Sequence, residues 1–123
     1  MIILDSNILI YSFQQEYLYL RSLIFHPDSF SAISSITILE TIGFKGISFD
    51  EEQYYQKATK RLRIYKLNRN VIDLATKLKQ QRKMSIGDSL IAATALLFSF
   101  TLYTRNTTDF NHIEGLKVIN PIK

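Results

Sequence analysis

Four acidic side chains in this sequence stand where acids are costly. Asp5 follows Ile2-Ile3-Leu4, Glu40 lies inside Ile38-Leu39-Glu40-Thr41-Ile42, Asp88 opens the apolar run Asp88-Ser89-Leu90-Ile91-Ala92-Ala93, and Asp109 precedes Phe110. An ionised carboxylate beside a core is unfavourable unless it is paired or bound to a metal. No Lys or Arg lies within three residues of Asp5, Glu40 or Asp88, so local pairing does not explain them. Carboxylates gathered at one place repel and raise one another's pKa. A divalent cation relieves that repulsion, and all-oxygen ligands suit magnesium or manganese. Each acid also has an ordinary reading. Asp5 and Asp88 would cap the helices that follow them, Glu40 would face solvent, and Asp109 would be a turn residue. Periodicity alone does not bring the four together.

The elements that must position these acids follow from the apolar pattern. Ile2 to Leu4 is a short β-type run that stops at Asp5. Asn7 to Phe13 reads as helix, and Tyr17 to Phe25 as a second helix ended by Pro27 and Asp28. Phe30 to Ser34 is a strand, and Thr37 to Phe44 is helical with Ile38, Leu39 and Ile42 on one side. Phe49 opens a helix with acids in its first turn and bases in its last, the order that a helix dipole favours. Ile64 to Leu67 is a short strand. Asn70 is expected to cap a helix that runs to about Lys83. Ile86 to Phe98 is the most apolar helix, and Phe100 to Tyr103 and Lys117 to Ile119 are the last strands. Strands alternating with helices predict an α/β fold with a largely parallel sheet. No linker or repeat divides the chain, so residues 1–123 form a single domain. In such folds the active crevice lies beyond the carboxyl ends of the strands, where Asp5, Asn106 and Asp109 fall.

These segments resemble, in order, the motifs of PIN-domain ribonucleases. Ile3-Leu4-Asp5-Ser6-Asn7-Ile8-Leu9-Ile10 is similar to the opening motif, Ser35-Ile36-Thr37-Ile38-Leu39-Glu40 to the second, and Gly87-Asp88-Ser89-Leu90-Ile91-Ala92-Ala93-Thr94-Ala95 to the third. Thr104-Arg105-Asn106-Thr107-Thr108-Asp109-Phe110 resembles the fourth, and Leu116 to Pro121 the family's closing segment. The subgroup most similar is the VapC-like toxins of toxin–antitoxin pairs. The resemblance implies a three-layer α/β/α sandwich and metal-dependent endonucleolytic cleavage of single-stranded RNA. It implies Asp5, Glu40, Asp88 and Asp109 as catalytic metal ligands for Mg2+ or Mn2+. It also implies Asn7 and Asn106 as supports for the acids, and Thr104 as a residue orienting a ligand or the attacking water. One or two metals fit equally well. A cognate antitoxin is the implied partner, its tail entering the acidic pocket.

Charge and aromatic placement supply the rest. Ten of the fifteen Lys and Arg fall between Lys57 and Lys83, where the only acid is Asp73. A face for a polyanion and a solvated helix face are both consistent with this. The RNA-binding candidates are Lys57, Lys60 and Arg61 in that stretch, and Arg105 beside Asn106. Tyr54, Tyr55 and Tyr65 either stack on unpaired bases or pack as half-buried helix residues. His26 and His112 lie outside the motifs and read as surface residues. Tyr17 to Phe25 is apolar enough to serve the core and also a homodimer face or a partner groove.

Other classes are weaker fits. No cysteine is present, which excludes disulfides, thiolate metal sites and a Cys nucleophile, and suits a reducing cytoplasm. The N-terminus lacks a basic leader and is interrupted by Asp5, so no signal peptide is expected. Leu90 to Phe98 is too short to span a membrane. A haloacid-dehalogenase-type phosphatase would need a second Asp two residues after the first, where this chain has Asn7. An RNA-processing nuclease outside toxin systems and a non-catalytic RNA- or protein-binding scaffold remain the alternatives.

Overall fold

The computed structural model describes residues 1–123. Five strands form one sheet in the order β3-β2-β1-β4-β5, and every pairing is parallel. They are β1 (Ile2–Leu4), β2 (Ala32–Ser34), β3 (Arg63–Tyr65), β4 (Thr101–Tyr103) and β5 (Val118–Ile119). The helices are α1 (Ser6–Phe13), α2 (Ser22–Phe25), α3 (Ser35–Thr41), α4 (Phe49–Arg61), α5 (Arg69–Gln81) and α6 (Ile86–Leu97). No helix is long and apolar enough to cross a membrane.

Side-chain alternation along the central strands builds a core on each face. Ile3, Ala32 and Leu102 join Val71, Ala75 and Leu78 of α5 and the Leu90–Ala95 stretch of α6 in one cluster. Leu4 and Ile33 join Ile8 and Leu9 of α1, Ile24 of α2 and Tyr55 and Ala58 of α4 in the other. The result is the expected three-layer α/β/α sandwich. α6 is buried along nearly its whole length, and its small Ala92, Ala93 and Ala95 let it pack closely between α5 and the sheet.

Hydrogen-bonded caps fix where every helix but α2 begins. Asp5 caps α1 and Ser85 caps α6. Ser48 and Glu51 form a reciprocal capping box at the start of α4. The cap of α5 is Asn68, whose Oδ1 accepts from the Val71 N–H at 3.0 Å, so that helix begins two residues earlier than Asn70 would place it.

The Tyr17–Phe25 segment departs from a single helix. Residues Gln15–Arg21 form a 3-10 stretch kinked at Tyr17, and only Ser22–Phe25 is α-helical. The cause is a tertiary contact. Arg21 Nε donates to the Ser12 carbonyl at 2.7 Å and Nη2 to the Phe13 carbonyl at 2.9 Å, while the guanidinium lies over the Tyr54 ring. These bonds satisfy carbonyls at the end of α1 and draw the chain back over it. Leu20 and Ile24 reach the core, whereas Leu18 and Tyr19 remain exposed.

Candidate functional site

The parallel register sets the site. Leu4 pairs with Tyr103, so Asp5 and Thr104 leave neighbouring strands side by side. The Asp5 N–H bonds the Tyr103 carbonyl at 2.9 Å, and Thr104 Oγ1 donates to Asp5 Oδ2 at 2.7 Å. Asn7 Nδ2 lies 3.2 Å from the same Asp5 oxygen and 3.3 Å from Thr104 Oγ1, and Asn7 Oδ1 accepts the Arg105 N–H. Asp5 Oδ1 accepts the Ser6 N–H at 2.7 Å. The capping reading of Asp5 therefore holds, and it occupies only one of the two carboxylate oxygens.

Glu40 is held from the neighbouring helix. Ser6 Oγ lies 2.6 Å from Glu40 Oε1 and 2.9 Å from Thr37 Oγ1. A carboxylate only accepts, so the Ser6 proton points at Glu40 and the Thr37 hydroxyl supplies the other bond. Across from Glu40 stands Gly87. A Cβ built there would come 2.5 Å from Glu40 Oε2, so this position has no room for a side chain while Glu40 stays on Ser6.

Asp88 is not the cap of α6; that role falls to Ser85, whose Oγ accepts the Asp88 N–H at 3.0 Å. Asp109 ends the short 3-10 turn Thr107–Asp109 and is anchored by the fully buried Phe110 that follows it. Asn106 contributes its backbone N–H to Thr104 Oγ1 at 3.1 Å.

The electrostatics show how far these acids come together. Burial raises Asp5 to about 6, with further upward contributions from Asp88 and Glu40 opposed by the Thr104 and Ser6 hydrogen bonds. Asp88 is raised by burial, then by Asp109 and by Glu40, with a hydrogen bond from Ser85 opposing them. Asp88 thus feels all three of the other acids. No base compensates them: the only ion pair in the protein joins Arg69 and Asp73 on the surface of α5. The donor set is oxygen-only, which fits a hard divalent ion. As the side chains stand, no three carboxylate or imidazole groups converge closely enough to hold one.

A cavity of about 440 Å³ opens beside Asp88 and Asp109. Its remaining lining comes from the α5–α6 connection, with Arg82, Lys83, Met84 and Ser85, and from Thr108 and His112. His112 is not a plain surface residue, because its Nδ1 is buried without a hydrogen-bond partner. Nothing in its sequence neighbourhood marks this. Thr37, by contrast, sits three residues before Glu40 on one helix, a spacing that puts both on one face.

The other candidates divide. Arg105 follows Thr104, its backbone N–H bonds Asn7 Oδ1, and its guanidinium lies over the Tyr11 ring at 4.8 Å. Lys57, Lys60 and Arg61 lie in the second half of α4, towards the amino ends of the strands. Lys57 Nζ sits over the Phe25 ring and Arg61 Nη2 donates to the Phe25 carbonyl, just before β2. The structure does not bring them to the carboxylates. The tyrosines pack inward. Tyr55 is buried, the Tyr54 hydroxyl bonds Ser12 Oγ at 2.7 Å, and Tyr65 packs on Phe98 and Phe100.

A family model described as "PIN domain" matches residues 2–116. Among curated protein sequences no significant match is found. Among solved structures, the chain is similar to one in a toxin–antitoxin complex from Klebsiella pneumoniae, with 30% identity, TM-score 0.79, and coverage of 100% of this chain and 99% of that one. It is also similar to chains of VapBC2 from Rickettsia felis bound to a promoter DNA fragment and of VapBC-1 from nontypeable Haemophilus influenzae. Both share 27% identity and 98% coverage of each chain, with TM-scores of 0.75 and 0.73.

Two consequences of this geometry are measurable without substrate. Asp5 binds its proton up to about pH 6 in the fold, against a reference of 3.8. Between those values the folded chain carries the extra proton, so stability falls as pH rises through the window, by about 3 kcal/mol in total. Asp5→Asn keeps a good helix cap. In EDTA it should lose this slope and melt higher than the parent at pH 7; an unchanged slope would refute the assignment. Gly87→Ala would ordinarily stabilise a helix by up to about 1 kcal/mol. Here it should give no gain in melting temperature, because its methyl displaces Glu40, and the gain should return when Glu40→Ala is added.

Proposed function

The chain belongs to the PIN-domain family, and on that premise we propose that it is a metal-dependent endoribonuclease cutting single-stranded RNA, the toxin of a toxin–antitoxin pair. The observation that carries this reading is the uncompensated carboxylate group at the carboxyl ends of the strands. Asp5 is buried and raised to about 6, it is coupled to Asp88 and Glu40, and no basic side chain neutralises them. A structural ion-pair network would supply such a base. A site for a divalent cation leaves that place to the ion.

PIN nucleases use divalent metal ions. Asp5, Glu40, Asp88 and Asp109 are the residues that would hold Mg2+ or Mn2+ here. When bound, a divalent ion stabilises charge developing at phosphorus and eases deprotonation of the attacking water. The chain's own work is positioning. Thr104 and Asn7 hold one oxygen of Asp5 in a single orientation. Ser6 turns Glu40 towards the same crevice, and Gly87 leaves it room. Asn106 steadies Thr104 through its backbone. Arg105, four residues before Asp109, is the base closest to the acids in sequence and a candidate for a phosphate contact. No protein nucleophile is needed.

The toxin assignment draws on the relatives, which are chains of toxin–antitoxin complexes. A small cavity of about 210 Å³ lies against Glu40, lined by Ile10, Thr41, Phe44, Glu51 and Tyr55. Phe44 and Leu39 are exposed at its edge of the molecule. An antitoxin segment would seat apolar side chains there and direct an Arg or Lys at the carboxylates, a charge-assisted contact in a partly desolvated site. The exposed Leu18 and Tyr19 are the surface on which we place homodimer contacts. A toxin that cuts RNA and is restrained by an antitoxin would act in the cytoplasm.

Purified protein should cut a single-stranded RNA with Mg2+ or Mn2+, stop on addition of EDTA, and leave a DNA strand of the same sequence intact. Asp88→Asn should lower kcat about a hundredfold or more, a loss of about 3 kcal/mol of transition-state stabilisation. Metal-dependent cutting by that variant at the parental rate would overturn the site. Expression of the chain alone should arrest growth, and co-expression of the small gene beside it should restore it. Harmless expression of a protein that cuts RNA in vitro would favour an RNA-processing nuclease.

A further inference from the structure

The cavity beside Asp88 and Asp109 holds residues that the cleavage chemistry leaves unused. Arg82 and Lys83 line it from the α5–α6 connection, and His112 lines it from the segment after β4. Both bases share the cavity with two carboxylates, yet neither forms an ion pair with them. Their charge is therefore uncommitted. The connection that carries them is well anchored. Lys79 Nζ donates to the Met84 carbonyl at 2.7 Å, the Arg82 N–H bonds the Leu78 carbonyl, and Ser85 caps α6. His112 adds a buried ring nitrogen that no protein group satisfies. A merely solvated base run need not share a cavity with two carboxylates and a histidine.

We propose that Arg82, Lys83 and His112 form a phosphate subsite that takes a phosphodiester adjacent to the one cut, and so set the path of the RNA strand across the acids. This deepens the nuclease reading and rests on it. A strand whose reacting phosphate lies at Asp88 and Asp109 carries its next phosphate within the same cavity. The acids alone repel that strand, so the affinity for its backbone must come from bases beside them. Arg and Lys there supply it without regard to sequence. His112 lines the same cavity, and a ring N–H presented there would add a contact to the anion. The bases in the second half of α4, turned towards Phe25 at the other end of the sheet, take no part.

The test compares Arg82→Gln/Lys83→Gln with Lys57→Gln/Lys60→Gln/Arg61→Gln. Binding of a labelled single-stranded RNA is followed against salt at fixed magnesium, with Asp5→Asn in both proteins so that the RNA stays whole. The first variant should flatten the slope of log affinity against log salt by about 0.7, one phosphate on a single strand; the second should leave it unchanged. With Asp5 intact, the first variant and His112→Phe should each raise KM severalfold while kcat stays within about twofold. A parental slope and KM in the first variant, or a flattened slope only in the second, would overturn the subsite. If the parent cuts no RNA but the first variant still flattens the slope, Arg82 and Lys83 hold an RNA phosphate, and the nuclease reading falls together with the subsite's place beside a cut phosphodiester.

Discussion

The hydrogen bond from Thr104 to Asp5 is the constraint on which the rest of the site turns. It exists because β1 and β4 are adjacent, parallel and in register, so that Leu4 faces Tyr103 and the next residues of both strands emerge together. The strand order places β1 at the centre, with β2 on its other side. Chain segments leaving β1, β2 and β4 are therefore neighbours, and α3, which follows β2 directly, brings Thr37 and Glu40 to Ser6. Buried carboxyl groups are opposed by desolvation. Here short hydroxyl and amide bonds offset part of that cost, and the remainder appears as the raised pKa of Asp5.

The same architecture explains what could be read from the sequence. Strands β1 and β4 were visible because each is a short, mostly apolar run that ends at a polar residue with a job, Ile2–Leu4 at Asp5 and Thr101–Tyr103 at Thr104, whereas β3 starts at the exposed Arg63, one residue before the expected Ile64, and ends at Tyr65 rather than Leu67. The acids were visible because they interrupt apolar sequence. The 3-10 stretch Gln15–Arg21 was not, since it depends on Arg21 reaching back to two carbonyls of α1. The tyrosines were ambiguous because helical periodicity does not say which neighbour covers a face; Ser12, Phe98 and Phe100 decide it. His112 was hidden because burial of Phe110 folds the chain after β4 and carries the histidine to the cavity.

The basic stretch shows why charge counts mislead. α4 begins with Asp50, Glu51 and Glu52 and ends with Lys60 and Arg61, an order that suits its dipole. Its first half lies by the site, since Glu51 and Tyr55 share a small cavity with Glu40. A helix rises about 1.5 Å per residue, so the bases of the last turn are carried about 14 Å along the axis from Glu51. The feature that stabilises the helix thus removes its bases from the carboxylates. Proximity in sequence to a basic run is no guide to which bases meet a substrate.

The α5–α6 connection resolves that difficulty by a different arrangement. Arg82, Lys83, Ser85, Gly87 and Asp88 fall within one short stretch, and each has a separate physical demand on it. Ser85 must cap α6 so that the Asp88 carboxyl is not spent on the helix end. Gly87 must lack a side chain so that Glu40 can remain on Ser6. The bases stand five and six residues before Asp88, in the connection ahead of α6, and are not spaced as its i,i+4 partners; Lys79, which is helical, is instead committed to the Met84 carbonyl. A turn placed between two helices meets these conditions together. It keeps Arg82 and Lys83 in one cavity with Asp88 and Asp109 while no ion pair joins them, so both signs of charge stay available at its surface.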